Sequence, residues 1–175
     1  MSDHTTIYHE LLKSKRLTIA SSGFDVEPER INLRLFDFQK AIVVWALRKG
    51  RAAVFASTGL GKTLMQVEIA RLIGKRALII APLTVARQTV AIARDMLSVD
   101  VHYTRDGADL ITGINITNYE MIEHFDASQF DAVLLDESSI LKSLDGKTRL
   151  TLSFMFATTP LISHLSRVIS MPAPV

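Results

Sequence analysis

"ASTGLGKT", residues Ala56–Thr63, follows the apolar run "AAVF" and leads into "LMQVEIARLIG". The octet fits the phosphate-loop pattern, with alanine in its first position and Gly61-Lys62-Thr63 at its end. Glycine has no side chain and tolerates positive φ, so Gly59 and Gly61 allow a tight turn and a close approach of backbone to a ligand. Such a turn aims the main-chain N–H groups of Ser57, Thr58, Gly59, Leu60, Gly61, Lys62 and Thr63 inward. A helix starting near Lys62 adds the positive end of its dipole. Together these predict an anion site sized for phosphate. Lys62 is expected to reach the β- and γ-phosphates of a nucleotide, and the Thr63 hydroxyl to ligate Mg²⁺. The plainer alternative is a glycine turn joining a strand to a helix. The apolar run before the octet and the periodic segment after it favour the phosphate site.

Outward from the octet the chain alternates. "LFDFQKAIVVWALRKG" reads as a helix closed by Gly50, "AAVFA" (52–56) as a strand, and "KTLMQVEIARLIG" (62–74) as a helix ending at Gly74. "RALIIAP" (76–82) is a strand stopped by Pro82, and "TVARQTVAIARDML" (84–97) a helix with Thr84 as its N-cap. "VHY" and "INIT" are short strands, "NYEMIEHF" a short helix, and "AVLLDE" (132–137) another strand. Upstream, "TTIYHELLKSKR" (5–16) has helical spacing and "SSGFDVEPER" (21–30) is loop-like. Strands apolar on both faces, alternating with helices, indicate an α/β domain with a mostly parallel sheet covered on two sides. The expected division is an N-terminal segment, 1–30, and a domain, 31–175.

A phosphate loop needs an acid to hold the metal, and in α/β sheets ligands collect at the carboxyl ends of strands. "AVLLDESS" supplies one. Asp136 is expected to bind Mg²⁺, through water, and Glu137 to orient and polarise the attacking water. An acid placed to recruit water argues against a small-molecule kinase, which must exclude it. Read alone, Asp-Glu after a strand is a loop start.

The bulk properties agree with one soluble domain. The chain has 175 residues, 48% of them hydrophobic, a net charge of +2 and no cysteine. It is long enough for a core, and disulfides and thiolate metal sites are excluded. The basic residues are uneven: seven Lys/Arg against three acids in residues 51–100, but five against nine in 101–175. The first hundred residues could therefore offer phosphate a basic face. No apolar run reaches the length of a membrane span and no signal peptide opens the chain, so an intracellular, cytoplasmic location is expected. The five histidines lack metal-binding spacing, so no metal besides magnesium is expected. Ser57 has no His/Asp partners in a triad signature. Phe36 and Trp45 sit among apolar residues at helical spacing and read as core.

With these residues in hand, the chain resembles the superfamily-two helicases, especially the Swi/Snf-like group and phage-type DEAD/DEAH-box proteins, over about residues 33–145. "LFDFQKAIVVWALRKGRAAVFASTGLGKT" looks like the glutamine-bearing adenine motif feeding motif I, which makes Gln39 the reader of the adenine edge and sets Phe36 beside it. Without the resemblance Gln39 is a helix-surface residue. "ALIIAPLTVARQTV" looks like motif Ia, with Pro82, Leu83 and Thr84 facing a nucleic-acid backbone. "INITNYEMI" is similar to motif Ib, with Thr117, Asn118 and Tyr119 as candidate strand contacts, the alternative being a capped helix start. "LLDESSILK" is similar to motif II in a form with Ser138 and Ser139. The resemblance implies a three-layer, RecA-like first motor domain that binds ATP and Mg²⁺ on one side and nucleic acid, DNA in preference to RNA, across the strand tips.

The tail departs from the family. Motif III should follow a strand downstream of motif II, but "ATTP" (157–160) and "SMPAP" (170–174) are only partial echoes. A second RecA-like domain with arginine fingers is not legible before Val175. The expectation is a helicase or translocase ATPase domain that turns over slowly alone and works with a second motor domain or a partner in trans. The competing expectation is a nucleotide-responsive non-motor adaptor, or a helicase remnant, that docks to a protein.

Overall fold

A computed structural model describes residues 21–136, 150–152, 155 and 161–167. The helix expected over 5–16 lies outside these residues, as do both motif III echoes.

Six described strands form one sheet, all parallel: β1 (Arg51–Ala56), β2 (Ala77–Ala81), β3 (Val101–Tyr103), β4 (Ile114–Asn118), β5 (Ala132–Asp136) and β6 (Leu161–Arg167), in the spatial order β1-β6-β5-β2-β4-β3. Helices α1 (Asp37–Lys49), α2 (Lys62–Ile73) and α3 (Leu83–Ile92) join them. The expected α/β class with a parallel, two-sided sheet is what the chain adopts. The chain lays down β1, skips two positions to β2, fills the far side with β3 and β4, then returns past β2 to place β5 and β6 in the gap.

Strand alternation sorts the core into two layers. Ala77, Ile79 and Ala81 of β2, with Ala132 and Leu134 of β5, join the core shared with α1, α2 and α3. Leu78 and Ile80, with Val133 and Leu135, join a second core closed by Tyr119, Ile122, Phe125, Phe130, Leu152 and Met155. Each fully buried Leu or Ile contributes about 1.5–3 kcal/mol relative to exposure. All five residues of β2 are buried, which accounts for its unbroken apolar sequence.

The helices follow the sequence closely, with instructive exceptions. α1 buries Gln39, Val43, Ala46 and Leu47, one stripe at helical spacing, and stops at Gly50, whose φ of 73° suits glycine. α3 starts one residue before Thr84, with Pro82 as its cap and no side-chain cap bond, so Thr84 is not the N-cap. The chain continues past Ile92 as a π-helical turn, Ala93–Leu97, ending at Ser98 in the left-handed region. The short helix expected after β4 is a 3-10 helix, Tyr119–His124. Phe36 and Trp45 are not core: they are 68% and 44% exposed, because the buried stripe of α1 runs through Gln39 and Val43 instead.

Packing is continuous across the boundary expected at residue 30. Ser22, Gly23 and Phe24 N–H groups bond the carbonyls of Lys49, Arg48 and Leu47 at the end of α1, and Val26 and Ile31 share one core. The strap that follows is held by a buried acid. Glu68 of α2 is fully buried, and its Oε1 accepts the Asn32 N–H at 2.7 Å and Arg71 Nη2 at 2.7 Å. Arg71 Nη2 also donates to the Arg30 carbonyl at 2.5 Å. The Glu68 hydrogen bond raises the Arg71 pKa, so the guanidinium stays charged. Asn32 Nδ2 and Arg34 Nη1 reach the carbonyls of Leu97 and Met96, exposed by the π-helical turn.

Glu68→Ala leaves Arg71 and the Asn32 N–H without their buried partner and is expected to cost about 3–5 kcal/mol of unfolding free energy, read by urea denaturation. Arg48→Ala, which breaks a surface pair with Asp25, is expected to cost less than about 1 kcal/mol in the same assay.

Candidate nucleotide site at the carboxyl edge of the sheet

The octet leaves the end of β1 and enters α2. Within it the Leu60 N–H turns back to the Ser57 carbonyl at 3.4 Å, and the Met65 N–H closes the first helical turn on the Gly61 carbonyl at 3.1 Å. Gly59 and Gly61 both have positive φ, 86° and 73°. The two are needed for different reasons. A Cβ on Gly59 would meet nothing within 4 Å, so only its backbone conformation calls for glycine; a Cβ on Gly61 would sit 2.3 Å from Gln39 Nε2.

Gln39 is the side chain that presses on the loop. It is 2% exposed, its Nε2 donates to the Leu60 carbonyl at 3.0 Å, and its Oε1 accepts the Phe36 N–H at 3.0 Å. It therefore caps its own helix and braces the glycine turn at once. This is not the helix-surface position that periodicity alone suggests. Each amide atom retains a second bonding position by valence. Beside it Phe36 stacks on Phe38, ring centroids 6.1 Å apart and planes 10° from parallel, both rings exposed.

Lys62 Nζ donates to the carbonyls of Ala56 and Ser57 at 3.1 and 3.2 Å, so the ammonium lies across the loop it belongs to. Ser57, Thr58, Gly59 and Leu60 are exposed, and Thr63 is half-buried on the first turn of α2.

Asp136 ends β5 on the same edge. It is in register with Leu165 of β6, and Leu165 is in register with Val54 of β1. Two inter-strand steps, about 10 Å, thus separate Asp136 from Val54 along the sheet. Alternation places Asp136 with Ala132 and Leu134, on the side where α2 packs against β5. Glu137, Ser138, Ser139 and Lys142 lie outside the described residues. Among the described residues no cluster of three or more His, Cys, Asp or Glu could hold a metal. A magnesium ion held by one carboxylate, one hydroxyl, phosphate oxygens and water needs no such cluster, so Thr63 and Asp136 fit that kind of site.

The two expected polymer contacts divide. Pro82, Leu83 and Thr84 follow β2 at the carboxyl edge; Leu83 is 40% exposed and Thr84 is exposed. Thr117, Asn118 and Tyr119 are buried, at 0%, 5% and 3% exposure. Asn118 Oδ1 accepts the Tyr103 hydroxyl at 2.8 Å and its Nδ2 donates to Glu120 Oε2. The Tyr119 hydroxyl donates to the Asp136 main-chain carbonyl. The side chains of Asn118 and Tyr119 are thus engaged in the domain's own scaffold, whereas the buried Thr117 Oγ1 has no hydrogen-bond partner among the described residues. Sequence reasoning missed Tyr103 and Glu120 as partners in that scaffold. It also missed Glu68, whose position on the apolar stripe between Met65 and Leu72 was a readable signal.

The same fold occurs in solved helicases. The chain is similar to the UvsW helicase from bacteriophage T4, at 19% identity and a TM-score of 0.62, over 93% of this chain and 59% of that one. A second T4 UvsW structure matches with the same identity, TM-score and share of this chain, covering 34% of its own length. The Sulfolobus solfataricus SWI2/SNF2 ATPase core in complex with dsDNA matches at 17% identity and a TM-score of 0.61, over 83% of this chain and 34% of that one. The chain thus spans between about a third and three fifths of these three structures. No protein-family model and no curated protein matches the sequence. At these identities the likeness is one of fold: the α/β, RecA-like fold with a mostly parallel sheet is borne out.

Gly61→Ala combines a left-handed backbone with a collision against Gln39 and is expected to cost more stability than Gly59→Ala, which is strained in φ alone. About 1–2 kcal/mol is expected for Gly59→Ala and more than that for Gly61→Ala, measured by thermal melting of both variants. Equal costs would show that the Gln39 brace yields freely.

Proposed function

We propose that the chain is the ATP-binding domain of a nucleic-acid-dependent motor ATPase of the superfamily-two helicase type. The observation that carries this reading is the shared carboxyl edge: a glycine turn with two left-handed positions, its lysine and threonine, and a strand-ending aspartate two strands away on the side of the same helix.

In this reading the N–H groups of Ser57, Thr58, Gly59, Leu60, Gly61, Lys62 and Thr63 surround the phosphates. Lys62 exchanges its two carbonyl partners for β- and γ-phosphate oxygens, a stronger, charge-assisted bond. Thr63 and Asp136 hold magnesium, which when bound neutralises charge on the phosphates. Glu137 orients the attacking water. Gln39 reads adenine with the bonding positions its brace leaves over, and the exposed Phe36 ring offers a face to the base. Pro82, Leu83 and Thr84 meet the backbone of a nucleic-acid strand, with Arg87, exposed one turn further along α3, adding charge. DNA is favoured over RNA because one structure of the same fold, the Sulfolobus solfataricus SWI2/SNF2 ATPase core, is a complex with dsDNA. A second RecA-like domain, or a partner in trans, completes the site. The reading implies an intracellular protein; no described helix is long and apolar enough to cross a membrane.

Lys62→Ala is expected to weaken ATP binding about 10- to 100-fold, in proportion to the loss of a charged hydrogen bond, while leaving DNA affinity unchanged. Calorimetry and fluorescence anisotropy check the two arms, and DNA affinity should fall steeply as salt rises. ATP binding without any DNA binding would favour the adaptor instead. Steady-state turnover by the 175-residue chain should be on the order of 10⁻³ s⁻¹ or slower without a second domain's arginine. Fast DNA-stimulated hydrolysis by the chain alone would overturn that part.

A further inference from the structure

Tyr119 opens the 3-10 turn that follows β4, and its hydroxyl bonds the main-chain carbonyl of Asp136 at the end of β5. β4 and β5 are not neighbours, since β2 lies between them. The pairing of β5 with β2 ends at Leu135, opposite Ile80, one residue short of Asp136. The tyrosine hydroxyl therefore reaches over the tip of β2 and holds the carbonyl just beyond the last rung of that ladder. The corner it comes from is itself fixed: Asn118 pairs with Ala81 of β2 in the sheet, accepts the Tyr103 hydroxyl from β3, and donates to Glu120. Three strand ends are thus tied to the backbone of the residue whose carboxylate is read as the magnesium ligand.

We infer that Tyr119 is a positioning residue for magnesium: its buried hydroxyl fixes where the backbone of Asp136 leaves the sheet, and so where the carboxylate is presented. The inference rests on the ATP·Mg²⁺ reading of the site. Where the pairing of β5 with β2 has ended, the Tyr119 bond restricts the backbone from which the Asp136 carboxylate is presented. Partners of this outer kind change metal affinity by about 10- to 100-fold when removed. Tyr103 serves as the matched control. It too donates a hydroxyl within the same network, but to Asn118 rather than to Asp136.

The experiment is a magnesium titration of the binding of a fluorescent ATP analogue to the whole chain, in the wild type, Tyr119→Phe, Tyr103→Phe and Asp136→Asn, with melting temperatures recorded for each. Tyr119→Phe is expected to raise the half-saturating magnesium about 10-fold, leaving magnesium-free analogue binding unchanged. Tyr103→Phe is expected to lose comparable thermal stability with its magnesium midpoint unmoved. A Tyr119→Phe midpoint equal to that of Tyr103→Phe overturns the inference while leaving the functional reading intact, provided Asp136→Asn still abolishes the magnesium response. A wild type that does not bind the analogue overturns both. Should Tyr119→Phe fail to fold, fluorotyrosine placed at position 119 makes the hydroxyl a stronger donor without changing the ring. The magnesium midpoint must then fall, and an unmoved midpoint sinks the inference.

Discussion

Parallel pairing is the constraint on which the site depends. Because every described strand runs the same way, each contributes its carboxyl end to one edge, and residues eighty positions apart in sequence meet there. β6 is the wedge that sets the spacing: Val54, Leu165 and Asp136 lie on one register line, so the phosphate loop and the aspartate sit two strands apart by construction. A slip of β5 by one residue against its neighbours would turn Asp136 to the opposite face of the sheet, away from α2. The apolar stripes of β2 and β5, buried on both faces, make such a slip costly. The position of the charge is thereby a by-product of hydrophobic register.

The buried polar side chains share a second logic. Gln39, Glu68, Asn115 and Tyr119 each join two segments distant in sequence through a main-chain group. Asn115 is the plainest case: its side chain bonds both the N–H and the carbonyl of Ile111 and so holds the loop that leads into β4. Burying an amide or carboxylate without partners would cost several kcal/mol, so such residues persist where they are fully engaged. Their engagement also explains why two polar residues that look like ligand contacts, Asn118 and Tyr119, lie beneath the surface.

The fold was largely legible because its signals are local and redundant. The left-handed glycines at 59, 61 and 74, the apolar runs of β2 and β5, and the phosphate-loop octet each speak for themselves in a few residues. What was hidden depends on contacts across the chain. Gln39 reads as a surface position because its apolar neighbours do not reveal that its amide turns back on the Phe36 N–H. Trp45 reads as core because it has apolar neighbours at helical spacing, yet it lies off the buried stripe of Gln39, Val43, Ala46 and Leu47. β6 escaped notice since "LISHLSR" mixes apolar and polar residues without the run that marks β2. The tyrosine of "TNYE" could not be known to bond Asp136, because nothing local ties position 119 to position 136. The motif match pointed to the right region of the sheet, but only packing distinguishes a side chain that meets a ligand from one that holds the floor beneath it.

The late arrival of β6 has a consequence for biosynthesis. Among the described residues β1 pairs only with β6, which the ribosome delivers more than a hundred residues later. At about 5–20 residues per second, the nascent strand spends several seconds with an open flank beside a loop that has no wall opposite it. The phosphate loop and Asp136 acquire their two-strand spacing only once β6 lies between β1 and β5.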